Sequence, residues 1–155
     1  MIEIERKFLV VSENYKKNIL SKHSIRQGYL CVEPKRSVRI RIVDEKGYIT
    51  VKGSTSKDEL SRFEWEKEIS KEDANRLILL CESNIIEKTR SLIEYKGSTF
   101  EVDEFHSNNN GLIIAEIELK NKNQYFEKPP WIGKEVTGVK KYYNSQLTQM
   151  PYSKW

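Results

Sequence analysis

Carboxylates that recur at alternate positions are the residues of this chain best placed to do chemistry. Glu3 and Glu5 lie near one end of the sequence, and Glu116 and Glu118 repeat the same spacing near the other. On an extended strand such residues share one face and are about 7 Å apart. Sites made only of carboxylates favour hard cations such as Mg²⁺ or Mn²⁺ over zinc. If the two pairs converge, the sequence provides a binding site for a hard divalent cation.

Basic residues follow the same two-residue spacing. Arg39 and Arg41 place two planar forks on one strand face, a geometry suited to bidentate contacts with phosphate oxygens. Further cations occupy corresponding positions on other segments: Lys7, Lys52, Lys88 and Arg90. Because acids and bases are nearly equal in number, they can pair with each other as well as bind a polyanion.

The segments that carry these residues alternate between apolar and charged positions, which predicts β-strands. We count eight such segments: IEIERKFLV, HSIRQGYLCVE, SVRIRIVD, GYITVKG, LSRFEWEKEIS, NIIEKTRSLIEY, STFEVDEF and LIIAEIELK. One helix is predicted after Ser70, which precedes an acidic first turn. The prolines and glycines of EKPPWIGKEVTG predict irregular structure, and KKYYNSQL predicts a short closing helix.

Eight consecutive antiparallel strands with few helices indicate a mainly β fold, either a closed barrel or an open two-sheet sandwich. Two orientations of the strands are possible. The apolar faces can form an ordinary interior, or the charged faces can line a hydrated lumen while the apolar faces pack under helices and loops. Burying unpaired charges costs several kcal/mol each, but charges of both signs can neutralise one another. The alternation alone does not decide between the two.

Composition limits the class of protein. The chain has 155 residues and a formal net charge of +4, with no long basic run, so an anionic partner is expected but nucleic acid is not. Two cysteines without neighbouring zinc ligands fit a reducing cytoplasm. The longest apolar runs are too short to span a membrane. We therefore expect one cytoplasmic domain over residues 1–155 that has no membrane contact.

The ordered set EIERKFLV, RQGYL, VRIR, ITVKG, RFEWEKEI, EKTR, FEVDEF, GLIIAEIEL and WIGKEVTG…YYN resembles the CYTH superfamily, the triphosphate tunnel metalloenzymes. The resemblance covers essentially the whole chain. It implies an eight-stranded antiparallel closed barrel whose charged face lines a tunnel, with a few flanking helices. It also implies that the tunnel binds a triphosphate and a divalent metal.

The resemblance assigns roles to particular residues. The expected metal ligands are Glu3, Glu5, Asp103, Glu116 and Glu118. The expected substrate-binding residues are Lys7, Arg39, Arg41, Lys52, Lys88, Arg90 and Lys141. Glu3, Glu5 and Lys52 are the catalytic candidates, and which glutamate accepts the proton is left open. Val139 and Lys141 depart from the family pattern, in which an acid and an arginine commonly precede YYN.

The activity expected from the resemblance is metal-dependent hydrolysis of a small-molecule triphosphate, foremost inorganic tripolyphosphate, with Mg²⁺ or Mn²⁺. Two alternatives stay open. A class IV adenylate cyclase belongs to the same family and would convert ATP into cyclic AMP. A non-catalytic module would bind polyphosphate or nucleotide without turnover. A homodimer is compatible with each of the three.

Overall fold

The computed structural model describes residues 2–33 and 35–155. Its strands are β1 (Ile2–Val10), β2 (Ile19–Cys31), β3 (Arg36–Val43), β4 (Lys46–Thr55), β5 (Ser61–Ile69), β6 (Glu82–Tyr95), β7 (Ser98–Phe105), β8 (Ile113–Glu118) and β9 (Ile132–Glu135). The α-helices are α1 (Lys71–Ile78) and α2 (Asn144–Leu147). Short 3-10 turns span Glu13–Asn18, Ser107–Asn109, Lys140–Tyr142 and Tyr152–Lys154. No helix in these described ranges is both long and apolar enough to cross a membrane.

Eight strands close into an antiparallel barrel, in the order β1, β5, β4, β3, β2, β6, β7, β8 and back to β1. The closing pair joins β1 to β5, with Ile2 opposite Phe63 and Glu3 opposite Arg62. A closed barrel leaves none of these eight strands as an unpaired edge. The predicted fold class is confirmed, and the open sandwich is excluded.

A ninth strand, β9, corrects the prediction of irregular structure after Pro129 and Pro130. It pairs with the C-terminal end of β1, where Val10 lies opposite Ile132 and Phe8 opposite Glu135. With four residues, the strand is too short to show an alternating pattern. Gly133 permits the pairing, because a Cβ there would collide with the side chain of Val11.

Two apolar clusters cover the outside of the barrel. Helix α1 begins where predicted, since the Ser70 hydroxyl accepts a hydrogen bond from the backbone N–H of Asp73 at 3.0 Å. Its Ala74 and Ile78 pack on Ile40 and Ile42. The second cluster joins the first 3-10 turn to the segment before β9 and contains Phe8, Tyr15, Phe100 and Trp131. These elements cover much of the outward apolar surface, although Ile2, Phe63 and Trp65 stay 48% or more exposed. The charged faces are left to line the lumen.

One side of the barrel interior is apolar. Ile86, Phe105 and Ile114 occupy the same strand face as the charged residues of β6, β7 and β8, yet they form a buried cluster with Leu112 and Leu147. Leu147 comes from α2 and is fully buried. The C-terminal segment therefore enters the barrel end and narrows the lumen.

Candidate active site

A cavity of about 200 Å³ lies inside the barrel, and we call it the main cavity because most of the predicted site residues line it. All the predicted site residues line it except Asp103 and Lys141: Glu3, Glu5, Lys7, Arg39, Arg41, Lys52, Lys88, Arg90, Glu116 and Glu118. They come from β1, β3, β4, β6 and β8. The charged faces point inward, which settles the orientation that the alternating pattern left open.

An acidic cluster forms where β1 meets β8. Glu5 lies directly opposite Glu118, and Lys7 lies opposite Glu116 with its Nζ 3.3 Å from Oε1. Burial raises the pKa of Glu5 to about 7, and the nearby Glu116 and Glu3 add to the shift. Burial acts in the same direction on Glu116, but Lys7 and Arg90 outweigh it and hold the pKa of that carboxyl at about 2.

The donor set of this acidic cluster fits a hard cation, since it consists only of carboxylate oxygens. Like charges directly opposite each other on neighbouring strands destabilise a sheet, and a bound cation relieves this repulsion. Within the described residues, no three His, Cys, Asp or Glu side chains stand close enough to hold a metal ion by themselves. A cation here therefore needs further oxygen donors, as Mg²⁺ commonly takes from substrate phosphates.

The raised pKa of Glu5 predicts a pH dependence of the metal-free protein. A neutral Glu5 is the favoured form in the folded state, so its contribution to stability is full below about pH 4.5 and is lost as the pH rises through about 7. In metal-free buffer the thermal midpoint should fall between about pH 5 and pH 8. The loss should be on the order of 2 to 3 kcal/mol, since one pKa unit is worth about 1.4 kcal/mol.

The matched variant is Glu5→Gln, which stays neutral at every pH. Its thermal midpoint should fall less than that of the wild type over the same pH range in parallel melts. Identical pH profiles for the two proteins would contradict the assignment of Glu5 as the titrating group.

Lys52 bridges two carboxylates that line the cavity. Its Nζ donates to Oε2 of Glu3 at 2.7 Å and lies 3.3 Å from Oε2 of Glu64. Burial raises the pKa of Glu3 against the effect of Lys52. The pKa of Glu64 is lowered in spite of burial, through its hydrogen bond with Glu3 and the charge of Lys52. Glu64 was not among the predicted site residues, although it lies on the lumen-facing side of β5.

Arginines form the opposite, basic wall. Arg39 and Arg41 place Nη2 atoms 3.5 and 3.4 Å from the same oxygen of Glu66, which also accepts from the Thr50 hydroxyl at 2.7 Å. The Nε atoms of both arginines are buried without a hydrogen-bond partner. Burial lowers the pKa of Arg41 to about 10, and the charges of Arg39 and Arg90 contribute. Guanidiniums this close, with free donors, favour an anionic ligand.

Asp103 does not line the main cavity, and its predicted role in metal binding stays a prediction. Only 1% of the residue is exposed. Its Oδ1 accepts from Nε of Arg90 at 2.8 Å, and its Oδ2 accepts from Nη2 of Arg90 at 2.8 Å and from Nζ of Lys88 at 2.7 Å. Both carboxylate oxygens thus accept hydrogen bonds from Lys88 and Arg90. Asp103 holds these two side chains in place from behind the basic wall.

Lys88 receives a second partner from the C-terminal segment. Its Nζ donates to Oδ1 of Asn144 at 3.0 Å. Burial lowers the pKa of Lys88 to about 8 against the attraction of Asp103. Asn144 lines the cavity with Tyr143, whose ring lies 5.2 Å from Nζ of Lys7. No periodic pattern marks these two residues in the sequence, because they lie at the junction of two very short helical turns.

Lys141 is exposed and does not line the cavity, and its predicted role in substrate binding stays a prediction. Its ammonium lies 4.5 Å from the ring centroid of Trp155 and 5.3 Å from that of Tyr142. The short turn Lys140–Tyr142 directs the ammonium of Lys141 toward the aromatic residues near the C-terminus. The departure from the family pattern at this position therefore leaves the basic wall intact.

This placement predicts that Lys141→Ala is nearly silent. Binding of tripolyphosphate, the ligand expected from the sequence, should weaken by less than about twofold, the usual range for a surface substitution. Calorimetry measures the dissociation constant. A rise in that constant of about tenfold or more would contradict the placement, because this is the scale of losing a direct charged contact.

A closed barrel with a carboxylate cluster facing a wall of arginines and lysines defines an anion-binding tunnel protein. The chain belongs to the CYTH domain family, whose match covers residues 1–151. It is 48% identical over 152 residues to a protein of Acetivibrio thermocellus named inorganic triphosphatase, covering 97% of this chain and 95% of that protein. A Nitrosomonas europaea protein of the same name is 36% identical over 95% of this chain and 97% of its own length.

A solved structure supports the same relationship. The crystal structure of the inorganic triphosphatase NE1496 superposes with a TM-score of 0.69 at 32% sequence identity. The match covers 94% of this chain and 93% of that one.

Proposed function

We propose that this protein is an inorganic triphosphatase that hydrolyses tripolyphosphate to pyrophosphate and orthophosphate with the help of a divalent metal ion. The observation that carries the proposal is the juxtaposition, in one enclosed cavity, of a carboxylate cluster and a basic wall. The curated relatives support the choice, since both are named inorganic triphosphatase. The adenylate cyclase alternative is not favoured by those relatives.

The basic wall binds the phosphate groups. Arg39 and Arg41 have donors free for phosphate oxygens, and Lys88 and Arg90 are held toward the cavity by Asp103. Lys7 and Lys52 supply charge from the acidic side of the lumen. Since phosphoryl transfer depends mainly on positioning and on neutralising oxygen charge, this arrangement supplies most of what the reaction needs.

The metal-binding candidates in this proposal are the carboxylates of the acidic cluster, Glu3, Glu5, Glu116 and Glu118, of which at most two would hold the ion together in the geometry of this structure. A bound Mg²⁺ or Mn²⁺ supplies charge neutralisation at the phosphate oxygens and a more acidic water. Glu116 is ionised because of Lys7, so it is available as a ligand at neutral pH. Substrate oxygens would complete the coordination that the carboxylates leave open.

In the reaction, the oxygen of a water molecule forms a bond to a terminal phosphorus while the bond from that phosphorus to the bridging oxygen breaks. Pyrophosphate leaves with the bridging oxygen. The water proton passes to a carboxylate of the acidic cluster. Glu5 is one candidate for this role, because it lines the cavity beside the other carboxylates, and it can act as the base only where it does not itself hold the metal. Glu3 is the second candidate, and Lys52, hydrogen-bonded to it, stabilises charge on the neighbouring phosphoryl oxygen.

A substrate panel tests the proposal. The purified protein is incubated with tripolyphosphate, ATP, GTP and thiamine triphosphate, each with Mg²⁺ and with Mn²⁺, and phosphate release and cyclic AMP are measured. We expect the highest kcat/KM for tripolyphosphate. A clear preference for a nucleotide would overturn the substrate, cyclic AMP as the main product would establish the cyclase, and tight binding without turnover would establish the non-catalytic module.

A further inference from the structure

A second cavity opens at the other end of the barrel. It has a volume of about 240 Å³. On β3 and β4 the main cavity touches Ser37 and Thr55, whereas the second cavity touches Val43 and Tyr48 at the opposite ends of the same strands. The two cavities therefore open in opposite directions along the barrel.

The two cavities share a floor of four charged residues: Arg41, Glu66, Arg90 and Glu101. Nη1 of Arg90 lies 2.6 Å from Oε2 of Glu101, and Nη2 of Arg41 lies 3.4 Å from Oε2 of Glu66. The lumen is thus one tunnel divided by two ion pairs. The same two guanidiniums can be reached from either side.

The two ion pairs that divide the tunnel are not held equally tightly. Glu66 is fixed, since it also accepts from the Thr50 hydroxyl at 2.7 Å. Glu101 has Arg90 as its ion-pair partner, and 40% of its side chain is exposed. A competing anion can therefore displace Glu101 from Arg90 more easily than it can displace Glu66 from its arginines, because Glu101 is the more exposed carboxylate and has fewer partners.

The walls of the second cavity differ from those of the main one. Ile25, Val43 and Leu92 are apolar, and the ring of Tyr48 lies 5.8 Å from the guanidinium carbon of Arg41. At the rim, the ring of His23 is held by Oδ2 of Asp44, 2.7 Å from Nδ1. Apolar and aromatic walls above a small number of charged groups are the usual composition of a small-molecule site.

We propose that the second cavity binds the organic group of a phosphonate or phosphate monoester, whose anionic head reaches Arg41 and Arg90 from the side opposite to tripolyphosphate. The apolar walls take the hydrocarbon part, and the guanidiniums take the head. Since both ligands need the same arginines, occupancy of the second cavity excludes tripolyphosphate. This last consequence rests on the proposed triphosphatase function, whereas the binding itself does not.

Direct binding is measured by calorimetry on the metal-free protein, with phenylphosphonate and methylphosphonate as probes. Both probes carry a phosphonate group, and only phenylphosphonate carries an aromatic ring. Phenylphosphonate should bind at least about tenfold more tightly, because its ring is removed from water. Val43→Asn and Leu92→Asn should each reduce that difference to about threefold or less, because they make the wall polar. The matched control is Leu20→Asn, on β2 but 63% exposed and outside the cavity, which should keep the full difference.

The second measurement is inhibition of tripolyphosphate hydrolysis. Phenylphosphonate should inhibit the wild type competitively, and both wall variants should lose this inhibition while keeping their kcat. The proposal is overturned if the ring adds no affinity, if its advantage survives both wall variants, or if phenylphosphonate and tripolyphosphate bind together. If the binding results hold in a protein that hydrolyses no triphosphate, the proposed function fails and the second site stands.

Discussion

Glu3→Gln should lower tripolyphosphate turnover by about a hundredfold or more, on the scale of a damaged metal site. The substitution keeps the shape of the side chain but removes its charge from the acidic cluster. It also removes the carboxylate that accepts from Lys52 at 2.7 Å. Added Mn²⁺ should restore part of the activity, since a weakened metal site fills again at higher metal concentration. Tripolyphosphate binding in metal-free buffer should stay the same or improve.

The control for this variant is Glu68→Gln. Glu68 lies on β5, two and four positions after the lumen-facing Glu66 and Glu64, but it does not line the cavity. Its carboxylate forms an exposed ion pair with Lys46 at 3.9 Å. Its turnover should change by less than about twofold. Full activity of Glu3→Gln at limiting metal would show that this carboxylate takes no part in metal binding or catalysis.

Asp103→Ala should destabilise the protein by about 3 to 5 kcal/mol, the range for removing one partner of a buried ion pair. Lys88 is 2% exposed, and two of its hydrogen-bond acceptors are Asp103 and Asn144. Without Asp103, both Lys88 and Arg90 lose their shared counter-charge inside the barrel. Denaturant unfolding in metal-free buffer measures the change in the free energy of unfolding.

Glu101→Gln is the matched comparison, because Glu101 lies on the same strand and pairs with the same arginine. Its side chain is much more exposed, so its loss should cost about 1 kcal/mol or less. Equal losses for the two variants would contradict the view that burial, and not the ion pair as such, makes Asp103 important.

Strand alternation was enough to predict which charged residues share a face. In β1, β3, β4, β6 and β8, charged residues two positions apart must share a face, so one correct orientation places them all in the lumen. The alternation could not choose that orientation, because balanced charges are compatible with either face. The choice depended on the resemblance to a family, and the cavity confirms it.

The positions of the remaining residues could not be derived from the alternation, for physical reasons. Asp103 lies on the lumen-facing side of β7, but the alternation does not show how deeply a side chain is buried. Lys88 and Arg90 cover its carboxylate oxygens. Lys141 and Asn144 lie in turns without periodicity, where a shift of one residue changes the direction of a side chain. Strand β9 is held by pairing with β1, which is a long-range contact that a four-residue segment does not reveal.

The most direct test of the account is to compare binding and turnover of tripolyphosphate by one metal-stripped preparation. Calorimetry before metal is added should show binding of tripolyphosphate without release of phosphate, because the basic wall is already formed. Addition of Mg²⁺ or Mn²⁺ to the same sample should start phosphate release. Hydrolysis at an equal rate in the presence of a chelator would contradict the account, and so would failure of the metal-free protein to bind tripolyphosphate.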